Sequence, residues 1–328
     1  MRTTAVFALL AAALVVSAAA AIFVGAVAIG PGDVLAALAG SGDTNGTIIR
    51  ELRLPRVLGA ALVGGALAGS GVLLQGLLRN PLADPFVTGT QAGASLGAVI
   101  AVALGASALV VPLASFAGAM LAIGLVWRLA RLGGRTTVLT VLLAGVVLTS
   151  FAGAVITLVL ISSDRLSLRL RAVLGWLQGG VSVIGWSELA VAAIIIGIGM
   201  GMALLLAPRI DAYAFGEETA AALGIDLDRT TGAVLATTAL LTGAAVAIAG
   251  LVGFVGLVVP HALRFLLGAT HRRLLVASLP AGAAVLVLAD LGARTLLAPA
   301  ELPAGVITGL VGAPFFLMLL VRSRRVIV

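Results

Sequence analysis

Long apolar stretches alternate with short polar segments along the chain. Eight stretches carry at most one charge and approach or exceed the roughly 20 residues that a helix needs to cross a bilayer core. They are Ala5–Ile29, Val57–Leu78, Phe86–Trp127, Thr136–Ser163, Leu189–Ala207, Thr230–Leu263, Leu274–Ala293 and Ala304–Val321. The pattern predicts an all-α polytopic membrane protein.

Two of these stretches are too long for one helix. Phe86–Trp127 has 42 residues without a charge, and a single helix of that length would rise about 63 Å, roughly twice the thickness of the hydrocarbon core. We therefore expect two helices there, with a turn between Gly105 and Pro112. Thr230–Leu263, which contains Pro260, should also be divided. The chain is thus expected to form about ten transmembrane helices in a single domain, residues 1–328.

The first stretch has an alternative interpretation. Ala5–Ile29 follows Arg2 and includes the small residues of Ser17–Ala21, as a cleaved signal peptide would. The stretch is long for the apolar part of a signal peptide, and many further spans follow it. We therefore expect an uncleaved first helix.

Two polar segments interrupt the middle of the chain. Arg165, Arg169 and Arg171 precede a weakly apolar stretch between Trp176 and Trp186, which suits an interfacial helix. Pro208–Arg229 is the most polar segment, and Gly216-Glu217-Glu218 followed by Thr219–Leu223 predicts a short helix with acids in its first turn, where the helix dipole favours them. This segment is either a solvated connector or a helix that fits into a partner's cleft.

The positions of the arginines predict the orientation. With ten crossings both termini lie on one side, which receives thirteen arginines against seven on the other. The positive-inside rule therefore places both termini in the cytoplasm and the chain in the cytoplasmic membrane.

A faint repeat is also present. Gly64, Gly71 and Pro81 recur at the same spacing 179 residues later, as Gly243, Gly250 and Pro260. The two sets would lie on helices of opposite direction, as in an inverted-topology repeat.

Composition excludes several classes of protein. Hydrophobic residues make up 61% and charged residues 10% of the chain, which excludes both a soluble domain and a disordered one. There is no Cys, and every one of the 20 basic residues is Arg. A P-loop lysine is therefore impossible, so any ATP must be hydrolysed by another chain. The net charge of +7 is spread over short segments without a basic face, so no nucleic-acid partner is expected.

Candidate catalytic and metal-binding groups are few. Gly93-Ala94-Ser95-Leu96-Gly97 matches a nucleophile elbow, but no strand precedes it. Ser95 is therefore expected to be a packing residue, and the chain is expected not to be an enzyme. Two histidines, His261 and His271, without cysteine do not favour a transition-metal site. Asp290 lies in an apolar stretch one helical turn before Arg294, which predicts an ion pair near a membrane edge.

Arg53 and Arg56 flank Leu54-Pro55 on the predicted extracytoplasmic side, where basic residues are disfavoured. They either anchor the end of the helix or form a docking patch for an acidic partner, which Arg suits through bidentate pairing with carboxylates.

Four collinear motifs resemble the permease subunits of the ATP-binding cassette (ABC) importers for iron-siderophores, haem and vitamin B12, which are type II importers. The motifs are Leu52-Arg53-Leu54-Pro55-Arg56, the segment from Gln75 to Pro85, the segment from Gly253 to His261, and Glu301–Thr308 with Gly312–Phe316. The resemblance spans essentially the whole chain. One departure is Thr88-Gly89-Thr90-Gln91, which replaces a more usual hydrophobic-Gly-Val-Ser run and leaves the substrate open.

The resemblance implies ten transmembrane helices per subunit, a homodimer in the lipid bilayer, and two separate ATPase subunits that bind ATP and Mg, with no cofactor in this chain. It also implies an extracytoplasmic binding protein that delivers a metal chelate for translocation. The alternative is a secondary transporter or channel without ATPases, which would need coupling groups at mid-membrane depth.

The same resemblance assigns site residues. Arg53, Arg56 and Arg294 would dock the binding protein. The residues that would couple to the ATPase lie in the cytoplasmic loop of about 208–229 and are Glu217, Glu218, Thr219, Ala220, Leu223 and Gly224. The cytoplasmic gate would use Asn80, Pro81 and Leu82, together with Thr137 and Thr140 at the start of the fifth helix.

Overall fold

The computed structural model describes residues 2–25, 29–40, 43–107, 109–131, 138–162, 170–181, 185–298 and 300–324, and these residues are almost entirely helical. The α-helices are α1 (Arg2–Phe23), α2 (Pro31–Leu38), α3 (Thr44–Thr47), α4 (Leu54–Leu77), α5 (Thr90–Ala103), α6 (Val110–Arg131), α7 (Val138–Ser162), α8 (Leu170–Leu177), α9 (Trp186–Tyr213), α10 (Glu217–Ala222), α11 (Leu227–Ala249), α12 (Val255–Leu267), α13 (His271–Thr295) and α14 (Ala304–Arg324). A π-helix, Ile48–Arg53, joins α3 to α4, and a 3₁₀ turn, Pro85–Thr88, precedes α5.

The described helices fit a polytopic membrane protein. Seven helical segments are long and apolar enough to cross a bilayer, and three shorter apolar helices, α5, α12 and part of α14, accompany them. Many large apolar side chains are exposed on α1, α7 and α9, as expected where lipid rather than water covers the surface.

The sequence placed most helices correctly and some boundaries wrongly. The turn predicted within Phe86–Trp127 is confirmed, because α5 ends at Ala103 and α6 begins at Val110. Thr230–Leu263 is also divided, but at Gly250–Phe254 rather than at Pro260, which lies inside α12. The predicted loop 208–229 is shorter than expected, because α9 continues to Tyr213 and α11 begins at Leu227.

In the expected interfacial segment between Trp176 and Trp186, residues 182–184 lie outside the described part of the chain, and of the others before Trp186 only Trp176 and Leu177 are helical. This segment contributes the end of α8, which stops at Leu177, and the next span begins at Trp186 itself. The residues that follow α8 pack into the break between α11 and α12, where the Gly180 N–H donates to the Ala249 carbonyl at 2.8 Å.

The core is built around α4, which contacts α13, α11, α9 and α12. Two crossings bring backbones into direct contact. A Cβ added to Gly64 would collide with the carbonyl of Gly282 in α13, and one added to Gly71 would collide with the carbonyl of Gly256 in α12. Small residues are what allow helices to approach this closely in lipid, where apolar burial does not drive association.

The proposed equivalence of the repeat positions is not supported by local structure. Gly71 lies inside α4, whereas Gly250 ends α11 with a φ of 60°. Pro81 lies in a turn, whereas Pro260 lies within a helix. The spacing of these residues therefore does not mark equivalent backbone positions.

Two opposite ends of the bundle carry the charged groups. The Arg56 end is formed by the end of α1, the start of α4, the end of α13 and the connection to α14. The Glu217 end is formed by the end of α4, the end of α9, α10 and the start of α13. Because α4 and α13 run antiparallel between these ends, they hold the two charged regions a membrane span apart.

Candidate functional site

An irregular helix positions the first pair of predicted docking arginines. The π-helix Ile48–Arg53 runs directly into α4, and Arg53 is its last residue. π-helical turns are rare in proteins as a whole, and those that occur are often found at functional sites. The sequence did not predict this turn or the small helices α2 and α3 before it. The residues around Arg50 and Arg53 carry no periodicity that distinguishes a π-helix, with its i→i+5 hydrogen bonds, from an α-helix.

Arg56 binds two carboxylates from distant parts of the chain. Its Nε and Nη2 donate to Asp290 at 3.0–3.2 Å, while Nη1 and Nη2 donate to Glu301 at 3.1 Å. Asp290 is 2% exposed and Glu301 is 53% exposed. Arg56 therefore joins a buried acid on α13 to an exposed acid in the connection to α14.

The other two predicted docking arginines are buried and hold the end of α1. Arg294 Nη2 donates to the Ala21 carbonyl at 2.6 Å, and Arg53 Nη1 donates to the carbonyls of Ile22 and Phe23. Cations suit this position, because the last carbonyls of a helix lack partners within it and carry partial negative charge.

The structure thus brings Arg53, Arg56 and Arg294 together at one end of the bundle. The predicted Asp290–Arg294 pair is confirmed at 3.4 Å between Oδ2 and Nε. The sequence did not reveal that Asp290 also binds Arg56, because 234 residues separate them. Glu301 was visible only as the first residue of one motif, without a predicted partner.

The predicted short helix at the Glu217 end is confirmed as α10. It begins after Gly216, whose φ of 103° favours glycine, and it has Glu217 and Glu218 in its first turn. Ala220 is buried, whereas Thr219 and Leu223 are exposed. Gly224 follows with a φ of 80°. The helix therefore turns one small residue inward and presents the others to the surface.

An ion pair connects α10 to the turn after α4. Arg79 Nη2 lies 3.5 Å from Glu217 Oε1, and both side chains are nearly half exposed. An open cleft of about 350 Å³ lies between them and is lined by Arg79, Phe215, Gly216, Glu217, Glu218 and Thr219. Phe215 is fully at the surface beside it. An arginine, two glutamates and an exposed phenyl ring therefore line an open surface cleft beside α10.

The predicted gate turn is tightly bonded. Arg79 adopts a left-handed conformation with a φ of 48°, and the Asn80 N–H donates to the Gln75 carbonyl at 3.1 Å, as in a Schellman motif. The Asn80 side chain accepts the Leu82 N–H at 2.9 Å. Asn80 and Pro81 are exposed and Leu82 is half-buried.

Gln75 ties this turn to α12. Its side-chain amide donates to the carbonyls of Ala83, Gly256 and Leu257 at 3.2–3.3 Å.

Of the two residues predicted for the other gate element, Thr140 is half-buried at the start of α7, and Thr137 lies outside the described residues. Helix α7 also packs against the segment after the turn, where Gly89 faces Gly145 and Leu148.

Asp84 follows the gate turn and lies between the spans. Its carboxylate accepts the Phe86 N–H at 2.9 Å and starts the 3₁₀ turn. Burial raises the pKa of Asp84 to about 6, and the hydrogen bond from Phe86 only partly opposes this shift. This carboxyl therefore takes up a proton at a higher pH than an exposed aspartate does.

A second polar contact fastens the base of α13 to α9. Asp211 Oδ1 accepts the His271 backbone N–H at 2.9 Å and lies 2.7 Å from His271 Nδ1. Gly76 of α4 packs against Ile210 and His271. Three of the core helices therefore meet directly beside α10, a contact that the sequence did not indicate.

Ser95 has the packing role expected of it. The residue is buried in α5, and its hydroxyl donates to the Gln91 carbonyl at 2.9 Å. Gly93 and Gly97 on either side pack against Gly118 and Ala114 of α6. The match to a nucleophile elbow is thus a small-residue helix contact. Within the described ranges, no group of three His, Cys, Asp or Glu residues is placed to hold a metal ion.

Comparisons with known proteins identify the family of the chain. Residues 12–322 match the FecCD transport family. The chain is 42% identical over 285 residues to the cobalamin import system permease protein of Halobacterium salinarum, covering 87% of this chain and 76% of that protein. It is 39% identical over 281 residues to the hemin transport system permease protein of Yersinia pestis, covering 84% and 83%.

A solved structure is similar along its whole length. An inward-facing metal-chelate type ABC transporter superposes with a TM-score of 0.85 at 29% identity, covering 97% of this chain and 99% of that one. Since the family match extends over nearly all of the sequence and the relatives align over most of their own length, the chain belongs to the FecCD transport family of ABC-type permeases.

Proposed function

We propose that this chain is the permease subunit of an ABC importer that moves a metal chelate, an iron-siderophore, haem or cobalamin, across the cytoplasmic membrane. The observation that carries this proposal is the placement of two charged regions at opposite ends of one apolar bundle. The Arg56 end would face outward and receive the cargo. The Glu217 end would face the cytoplasm and bind the ATPase subunits that drive transport.

The topology supports ten crossings with both ends of the chain in the cytoplasm. Helix α1 ends, and α14 begins, at the Arg56 end. The start of α1 and the end of α14 therefore lie towards the Glu217 end. The seven long spans and three shorter apolar helices of the described residues would together make up the ten helices that the sequence predicts.

The energy would come from two ATPase subunits at the Glu217 end. The chain has no lysine with which to build a phosphate-binding loop, so ATP and Mg would be bound by the partners and this chain would need no cofactor. Exposed α10 and the cleft beside it would seat against the ATPase. The Arg79–Glu217 pair would then pass its movement to the gate turn at Asn80–Leu82, and Thr137 and Thr140 would belong to a second gate element.

The translocation pathway would lie between two copies of the chain. Helix α7 exposes a series of large apolar side chains, among them Leu143, Val147 and Phe151. In a homodimer such surfaces would line a weakly polar conduit or contact lipid. A conduit of this kind holds bulky cargo loosely, which suits a permease that must release what it receives.

The decisive experiment is reconstitution in liposomes. We expect the chain to co-purify with an ATPase subunit, and uptake of a radiolabelled ferric siderophore, haem or cobalamin to require both ATP and the cognate binding protein. A secondary transporter or channel, the alternative, would be purified alone. Accumulation of solute by the isolated chain against a gradient would contradict the proposal.

Charge reversal of the arginine cluster tests the outer surface. In the same reconstituted complex, Arg53→Glu, Arg56→Glu and Arg294→Glu together should weaken docking of the binding protein at least tenfold and abolish its stimulation of ATPase activity, because acidic partner groups would meet like charges. Titration of the binding protein measures both effects.

The control is Arg128→Glu at the other end of the bundle. It changes charge without touching the cluster, and we expect unchanged docking. Thermal unfolding of the triple variant establishes that the subunit is folded. Normal docking by a folded triple variant would show that these arginines are not the docking site.

A further inference from the structure

The outward edge of the Arg56 guanidinium is already occupied. Asp290 binds the inner side through Nε and Nη2, and Glu301 binds the outer side through Nη1 and Nη2. An incoming carboxylate would need the same outer donors that Glu301 holds, because the inner ones face a buried acid.

The two carboxylates are held very differently. Asp290 is buried and is shared between Arg56 and Arg294, so removing it would leave buried charge without a partner. Glu301 is more than half exposed in the connection before α14, and exposed ion pairs contribute little to stability. Glu301 can therefore leave Arg56 at small cost, whereas Asp290 cannot.

The charge balance points the same way. Arg56 and Arg294 are neutralised by Asp290 and Glu301 as long as both acids are in place. Displacement of Glu301 gives the cluster an additional positive charge at the surface, next to Arg53. The cluster thus attracts an acidic partner most strongly once Glu301 has left.

We propose that Glu301 is an intramolecular competitor that occupies Arg56 until a carboxylate of the docking protein displaces it. This inference rests on the proposed function, since it assumes that the Arg56 end receives an acidic binding protein. The exchange replaces the Glu301 carboxylate, whose Oε2 accepts from both Nη1 and Nη2, by a carboxylate of the docking protein, and it releases the connection to α14.

The test is the affinity of the reconstituted complex for its binding protein. Glu301→Gln should tighten binding about threefold to fivefold, the gain that corresponds to removal of a competing exposed ion pair. In an Arg56→Gln background the same change should have no effect, because the competition acts through that guanidinium. Arg56→Lys provides a second background that keeps the charge beside Asp290 but lacks the fork that binds two carboxylates.

Glu188→Gln is the matched control. Glu188 is an exposed acid at the same end of the bundle, at the start of α9, and its carboxylate accepts a hydrogen bond from its neighbour Ser187. Equal tightening by Glu188→Gln and Glu301→Gln would show a bulk charge effect and overturn the inference.

The two proposals fail in different ways. If Arg56→Gln weakens docking while Glu301→Gln leaves it unchanged or weakens it, Glu301 is not a competitor but the docking site stands. If neither variant alters docking in a folded complex, the docking site itself is wrong.

Discussion

Asp290→Asn is expected to lower the free energy of unfolding by about 3–5 kcal/mol, the usual cost of removing one partner from a buried ion pair. Asp290 is the acid that Arg56 and Arg294 share. Asparagine keeps the size of the side chain but removes the charge, so two largely buried guanidinium groups lose their common partner. Chemical unfolding of the purified subunit in detergent, followed by tryptophan fluorescence, measures the effect.

Two further variants distinguish charge from packing. Glu301→Gln, which removes the exposed carboxylate on the same arginine, should change stability by less than about 1 kcal/mol. Replacing Asp290 and Arg56 together by apolar residues of similar volume should recover part of the loss, because Arg294 keeps its hydrogen bond to the Ala21 carbonyl. If the Asp290→Asn variant unfolded at the same denaturant concentration as the wild-type subunit, the stability of the subunit would not depend on this acid.

Gly64→Ala is expected to destabilise the subunit by about 2–3 kcal/mol, although alanine favours helix formation over glycine by about 1 kcal/mol. A Cβ at Gly64 would collide with the carbonyl of Gly282 and approach the Cβ of Leu286. The overlap is with backbone, so it is relieved only if α4 and α13 move apart and disturb the closely packed interior.

Gly197→Ala and Gly201→Ala are the matched controls. Both glycines lie within α9 with open space around an added Cβ, so alanine should stabilise the subunit by about 0.5–1 kcal/mol. Gly282→Ala should resemble Gly64→Ala, and the double variant should cost less than the sum because both changes open the same contact. If alanine changed the stability of the subunit equally at Gly64 and at Gly197, the close approach of α4 and α13 would not be what restricts Gly64 to glycine.

These glycines show what the sequence could and could not predict. The spacing of Gly65 with Gly69, and of Gly197 with Gly201, predicts that both pairs are positions of close helix packing. The structure confirms the first pair, where an added Cβ would meet Leu279 or Met200, and not the second, where an added Cβ would meet no atom of the described residues within 4 Å. The spacing of small residues predicts which helices can approach closely, but the helix that lies opposite is fixed by tertiary structure.

The charged ends illustrate the same limit. Apolar stretches predicted the spans because the bilayer sets their length, and the acids after Gly216 predicted α10 because helix starts favour them. The Asp290–Arg294 pair followed from one helical turn. The contacts of Arg56 with Glu301 and of Arg79 with Glu217 join segments 245 and 138 residues apart, and no local pattern encodes such a distance.

The hydrogen bonds that hold the end of α1 connect the position of this helix to the arginines at the Arg56 end. The last carbonyls of this peripheral helix accept hydrogen bonds from Arg294 of α13 and from Arg53, the last residue of the π-helix that leads into α4. In hydrocarbon, carbonyls deprived of these donors would find no water to replace them. A protein that drew either guanidinium outward would therefore leave carbonyls at the end of α1 without a donor, and α1 would have to shift until its end reached the polar headgroups.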